Sequence, residues 1–318
     1  MKEPAVLVLL STFNGEKYIE EQLKSVLSQK GVKVVLVIRD DGSRDSTIDI
    51  LKRYHNTHNE SVYLYVGENL GARGSFFELM KYALSIESNY DFFSFCDQDD
   101  VWGQNKLYQA VNLMNKDGNE EQEVPMMYCS VTQMVDAELT SLTRWPNIPA
   151  KSLTLYNALI ENMAVGCTIV INRQTLNLIS KFPPDDPSKV IMHDWWVYLC
   201  VSAFGRVIFD EEPYILYRQH NNNLLGGKTG SIFEKAKIRI CRYFKGEYYY
   251  IRRYQAREFL SCFYSVMDPQ DRQAIEQFLD ILNRNWIFRV LYIGRTPFFR
   301  QSMIDNLIFK LTYITGKV

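Results

Sequence analysis

The sequence has no CxxC pair, no cysteine and histidine at zinc-finger spacing, and only four histidines in 318 residues, which removes the common structural zinc modules. It also lacks any run of about 18 uncharged apolar residues, the length a membrane-crossing helix needs. Internal repeats and low-complexity tracts are absent, so neither a solenoid nor a disordered chain is expected. The opening MKEPAVLVLLSTF has no strongly basic leader and no small-residue cleavage site, and its apolar run is expected to be a first strand. Six cysteines (96, 129, 167, 200, 241 and 262) are dispersed, mostly within apolar runs, and are expected to be reduced, buried and cytosolic.

What is present is a hydrophobic content of 47%, enough to fill a large core. Over the first hundred or so residues, short β-rich runs at 5–13, 33–39, 61–66 and 90–96 alternate with amphipathic segments at 16–29, 45–56, 75–86 and 104–115. Such alternation implies right-handed crossovers and an α/β, doubly wound, mostly parallel sheet with strands apolar on both faces. Ile19, Leu23, Val26 and Leu27 recur at helical spacing, with Asn14 as the expected N-cap. Further on, strands are expected at 126–135 and 164–172, a helix after HDWW, and a hairpin over 206–220. Gly226, Gly227 and Gly230 punctuate a loop at which composition shifts, dividing a 1–227 domain from a 228–318 helical extension rich in Arg, Tyr and Phe.

In an open parallel sheet, ligands bind beyond the carboxyl ends of the strands. Three polar clusters fall there: STFNG, holding Ser11 and Asn14; RDDGS, holding Asp41; and CDQDDVW, holding Asp97, Asp99 and Asp100. An acid in the last cluster suits the start of the following helix, where a negative charge gains about 0.3–1 kcal/mol. One acid suffices for that. Three within four residues repel one another unless a cation neutralises them, and oxygen donors suit Mg²⁺ or Mn²⁺ carrying a diphosphate. RDDGS reads equally as a turn ahead of a helix or as a carboxylate facing a nucleotide. Asp194 in MHDWW reads as an N-cap or as a general base in an aromatic-lined pocket. His220, beside Arg218 and Gln219, ends a strand.

Through STFNGEKYIEEQLKSVLSQ, IRDDGSRDST, NLGARGSFFELM, FCDQDDVWGQNKL, AVGCTIVIN, MHDWWVYL and LYRQHNNN, in that order, residues 5–225 resemble family 2 glycosyltransferases, the inverting nucleotide-sugar enzymes of GT-A fold. DQDDVW, MHDW and YRQHNNN are most similar to the rhamnosyltransferases of bacterial surface polysaccharides such as O-antigen. The resemblance implies Ser11, Asn14, Asp41 and Asp97 as nucleotide-contacting positions. It implies Asp97, Asp99 and His220 as metal or diphosphate contacts, with Asp99 the direct ligand, and Asp194 as the catalytic base. The implied donor is dTDP-rhamnose, or alternatively a UDP-hexose, and the implied acceptor is a lipid-linked or oligosaccharide glycan. A non-catalytic scaffold of an assembly complex is a further alternative, although it has no need of Asp99 and Asp194 together. A nucleotidyltransferase would require a Gly-rich phosphate loop with Lys or Arg after the first strand, which STFNGEKY does not supply.

Net charge is −1, but from residue 228 onward 16 Lys and Arg face 8 Asp and Glu, against 20 and 29 before it. Basic residues interleaved with aromatics suit an anionic membrane surface, placing the protein at the cytoplasmic face of the plasma membrane. The same composition also suits a solvated basic face or a homo-oligomer interface. No nucleic-acid-binding motif accompanies it.

Overall fold

Residues 6–10 are fully buried on both faces of β1 (Ala5–Thr12), as a strand at the centre of a helix-covered parallel sheet must be. The structure is a computed structural model and describes residues 3–86, 90–117, 124–219 and 250–318. After β1 come α1 (Ile19–Leu27), β2 (Lys33–Asp40), α2 (Thr47–Thr57), β3 (Val62–Val66), α3 (Gly71–Ser85) and β4 (Phe92–Cys96). The two-residue β5 (Val101–Trp102), α4 (Lys106–Asp117), β6 (Met126–Ser130), β7 (Thr132–Val135) and β8 (Ser141–Trp145) follow. Then come α5 (Leu155–Ala158), β9 (Val170–Asn172), α6 (Arg173–Lys181), α7 (His193–Phe204), β10 (Arg206–Asp210) and β11 (Ile215–Arg218). The chain ends with α8 (Ile251–Phe263), α9 (Pro269–Leu282), α10 (Trp286–Ile293) and α11 (Met303–Ile314).

The larger sheet runs β10-β6-β9-β4-β1-β2-β3 and is parallel except for β9, which is antiparallel to both neighbours. Strands β4, β1 and β2 are therefore adjacent, and the loops at their carboxyl ends adjoin. β3, at the edge, leaves Tyr63, Tyr65 and Val66 exposed, unlike the expected doubly apolar strand.

Four further expectations are corrected. Residues 206–220 are not a hairpin: β10 pairs in parallel with β6, whereas β11 joins a second sheet of order β5-β11-β7-β8. The strand expected over 126–135 divides in the same way at Val131, whose N–H donates to Asp210 O at 3.0 Å, so two parallel neighbours leave one sheet together and enter the other. Pro213, lacking an N–H, lies in the link and disfavours a hairpin ladder. Of residues 164–172, only β9 is a strand, preceded by a 3₁₀ turn at Gly166–Thr168. Asn14 does not cap α1, because a turn through Tyr18 intervenes, with Tyr18 N and Ile19 N both bonded to Gly15 O.

The chain forms two compact units. The first comprises Met1–Ile148, Ala164–Lys181 and Gly205–Gly227, and holds both sheets; the second comprises Pro149–Met163, Phe182–Phe204 and Lys228–Val318. Two stretches from the middle of the chain thus cluster with the C-terminal helices. The second unit packs Trp196 of α7 against Phe259 of α8, ring centroids 5.7 Å apart, and Phe278 of α9 against Phe298 and Tyr313. The 227/228 boundary expected from composition lies outside the described residues.

Gly205, ahead of β10, has no room for a side chain, since an added Cβ would stand 1.9 Å from Pro125 O. That oxygen accepts from Arg206 N at 2.9 Å, so relief would strip the first bond of the β10–β6 ladder. Gly205→Ala is expected to cost about 1–3 kcal/mol. In a thermal melt that is a fall of about 2–4 °C per kcal/mol.

Candidate active site

The three loops predicted to carry chemistry are laced together at the carboxyl edge of β4, β1 and β2. Gln98 binds the backbone of Phe13 twice, Phe13 N–H donating to Oε1 at 2.8 Å and Nε2 donating to Phe13 O at 3.0 Å. Gly15 permits this approach, because a Cβ there would meet Gln98 Oε1 at 2.3 Å. Asn14, at φ 47°, ties the first loop to the second: its N–H donates to Ser43 Oγ, and its Oδ1 accepts from Arg44 N, both at 2.8 Å. Ser11 Oγ donates to Ser75 Oγ of α3 at 2.7 Å.

In RDDGS the two acids have separate tasks. Asp40 builds the turn, accepting from Ser43 N, Ser43 Oγ and Thr12 Oγ1. Asp41, 2% exposed, accepts from Leu70 N and Gly71 N at the start of α3 and pairs with the Arg39 guanidinium. Its negative charge thus sits at a helix N-terminus, where the helix dipole favours it.

The acidic cluster follows β4. Asp97 and Asp99 are half-buried, while Asp100 is 1% exposed. Asp100 Oδ1 accepts from Arg218 N of β11 at 3.1 Å, so Asp100 caps no helix, and its Oδ2 has no hydrogen-bond partner. Burial, then the charges of Asp99 and Asp97, push its carboxyl well above the usual range. Ligand atoms of Asp97, Asp100 and Cys167 lie within 4.8 Å of one another. An orphaned carboxylate oxygen beside a second carboxylate fits a hard divalent cation. The Cys167 thiol does not, being soft and held protonated by burial, and Asp97 is the residue common to this trio and to the expected Asp97 and Asp99 pair.

Two basic residues to which sequence reasoning gave no role back the cluster. Lys106, 1% exposed at the start of α4, donates from Nζ to Ser94 Oγ at 2.7 Å and lies 3.5 Å from the centroid of the Trp102 ring. Burial lowers its ammonium to about 7, against the pull of Cys96, Cys167, Asp100 and Asp97. Arg218 donates from Nε to Asp99 O at 2.9 Å, pairs with Glu21 of α1, and stands 4.5 Å from the Tyr18 ring. It staples the strand that leads to His220, itself outside the described residues. No local pattern marks Lys106 or Cys167; Arg218 was marked only by lying in LYRQHNNN.

Asp194 belongs to the second unit, in the first turn of α7. Its Oδ1 accepts from the adjacent Trp195 N at 2.7 Å, which is not an N-cap bond, and its Oδ2 accepts from Asn162 Nδ2 at 3.1 Å. Trp195 Nε1 donates to Ala158 O and Arg252 Nε to Ile160 O, so the loop bearing Asn162 is held from two sides. Burial pushes the neighbouring His193 down to about 3, leaving it uncharged at neutral pH.

A mostly parallel sheet with acids gathered at its carboxyl edge, a smaller second sheet and C-terminal helices defines the GT-A class of glycosyltransferases. The same fold is found in S. aureus TarS 1–349 in complex with UDP-GlcNAc, at a TM-score of 0.59 and 17% identity over 87% of this chain and 71% of that one. The Glycosyl transferase family 2 profile matches residues 7–177, and the chain belongs to that family. It is similar to the dTDP-rhamnosyl transferase RfbG of Shigella flexneri, 31% identical over 253 residues, covering 76% of this chain and 80% of that protein. It is also similar to the Escherichia coli UDP-Glc:alpha-D-GlcNAc-diphosphoundecaprenol beta-1,3-glucosyltransferase WfgD, 28% identical over 63% of this chain and 71% of that protein. The chain is therefore an enzyme of the glycosyltransferase class, which sets the scaffold alternative aside.

Proposed function

We propose that this enzyme transfers L-rhamnose from dTDP-L-rhamnose, with inversion, to a hydroxyl of a lipid-linked glycan during bacterial surface polysaccharide synthesis. The observation that carries the donor assignment is the similarity to a dTDP-rhamnosyl transferase over most of both chains. Donor binding belongs to the first unit, where Asp97 and Asp99 would hold a divalent ion, with Ser11, Asn14 and Asp41 shaping the nucleotide loops. When bound, Mn²⁺ or Mg²⁺ supplies Lewis-acid neutralisation of charge developing on the leaving diphosphate. Asp194 accepts the proton of the acceptor hydroxyl while that oxygen bonds to the anomeric carbon and the bond to the diphosphate breaks. Asn162 orients the carboxylate. A β-linked donor would give an α-rhamnoside. Among the described residues no helix is long and apolar enough to cross a membrane, and a lipid-linked acceptor calls for attachment at the cytoplasmic membrane face.

A UDP-hexose donor is the second reading, favoured by the match to WfgD. Calorimetry of dTDP, UDP and GDP with and without Mn²⁺ separates the two. Tight binding of dTDP only with metal is expected; preference for UDP would move the donor to a UDP-hexose. Binding of none of the three by the folded protein would overturn the donor proposal.

A further inference from the structure

We propose that α10 and α11 form the surface by which the enzyme docks on an anionic lipid bilayer. This specifies the membrane contact named above and rests on that reading. On α10, Trp286 is 63% and Leu291 66% exposed, with Phe288 also turned to solvent. On α11, residues 305, 309 and 313, four apart, are buried, whereas Met303, Leu307 and Leu311, also four apart, are exposed, Met303 by 87%. The two helices are joined by Tyr292 and Tyr313, ring centroids 5.4 Å apart, and by Arg289, which donates to Ile314 O at 3.2 Å. A surface helix of a water-soluble protein places polar residues outward; these two place large apolar ones there.

Charge selects the occupant. Residues 284–318 hold six Lys and Arg against one acid, Asp305, which is itself buried; with Arg284 paired to Asp280 and Arg300 to Glu161, the positive excess lies with Arg289, Arg295, Lys310 and Lys317. A second copy seated on this face would set like charges against one another. An anionic headgroup layer complements them instead, and Trp286 has the amphipathic ring that favours the headgroup boundary. Length agrees: α10 has 8 residues and α11 has 12, so at about 1.5 Å per residue neither approaches the roughly 30 Å of a hydrocarbon core. Helices of this kind lie along the interface with one side immersed.

Cosedimentation of the full chain with phosphatidylglycerol-containing and pure phosphatidylcholine vesicles tests the surface. Binding is expected to favour the anionic vesicles about tenfold and to weaken with added salt. The double substitution Leu291→Asp with Leu307→Asp, at exposed positions that leave the core intact, is expected to lower it by about tenfold or more. Arg295→Glu with Lys310→Glu should remove the preference for anionic lipid. Vesicle binding unchanged in the Leu291 and Leu307 variant overturns the proposal, as does binding lost only on substituting the basic residues of 228–245. Concentration-dependent dimerisation that this variant abolishes, without vesicle binding, would give the face to a second copy. Nucleotide calorimetry on the same preparations keeps the two readings apart. Variants that lose vesicles and keep nucleotide report on the surface, and a parent protein that binds vesicles but no nucleotide would sink only the donor assignment.

Discussion

Asp194→Asn is expected to lower kcat for sugar transfer by about 10³-fold while leaving nucleotide affinity within a factor of about two, a loss in the range general-base removal produces. The amide keeps the shape of the carboxylate and can still accept from Trp195 N through its oxygen. Its nitrogen, however, would face Asn162 Nδ2, donor to donor, and no longer accept a proton. Asn162→Ala separates orientation from proton transfer: it is expected to cost about tenfold in kcat, against about 10³-fold for Asp194→Asn. His193 is a poor alternative base, since burial holds its imidazole at about 3. Single-turnover rates, with calorimetry of the bound nucleotide, provide the check. An Asp194→Asn enzyme with parental kcat would remove Asp194 from the chemistry and leave it as the first-turn acid of α7.

Much of this site was legible because its backbone signals are local. The fully buried 6–10 run announces a central parallel strand, the polar residues behind it must fall at the sheet's carboxyl edge, and the same holds for β2 and β4. What local pattern could not convey were partners brought from far along the chain. Asn162 reaches Asp194 across 32 residues, and Arg218 reaches the Asp99 carbonyl across 119. The spurious hairpin over 206–220 has the same origin. Two β-rich runs joined by a short polar link look like a hairpin until β6 and β7 supply each of them with a parallel neighbour. Lys106 reads in sequence as an ordinary residue at a helix start; only the fold places it beneath Trp102.

The three acids of the DQDD loop are expected to separate in function. Asp97→Asn and Asp99→Asn should each abolish the effect of Mn²⁺ on dTDP binding and lower transfer by about 10³-fold, equivalent to about 4 kcal/mol of lost stabilisation of the leaving diphosphate. Asp100→Asn should instead stabilise the metal-free protein. The reason lies in linkage: with the folded carboxyl raised above its unfolded value by burial and by Asp99 and Asp97, the unfolded chain releases its proton first as pH rises from about 4. Stability conferred by the protonated form is then progressively lost towards neutral pH. An asparagine carries no proton to lose and can still accept from Arg218 N, so the variant's melting temperature should exceed the parent's by a few degrees near pH 8, with the gap closing on acidification. The half-buried Asp97 and Asp99 would then match one divalent ion, with Asp100 held by its bond from Arg218 N. Thermal melts across pH, with and without Mn²⁺, decide between the arrangements. Should Asp100→Asn lose the Mn²⁺ response while Asp99→Asn retains it, the ion belongs deeper, between Asp97 and Asp100 beside Cys167, and the direct ligand is the buried acid.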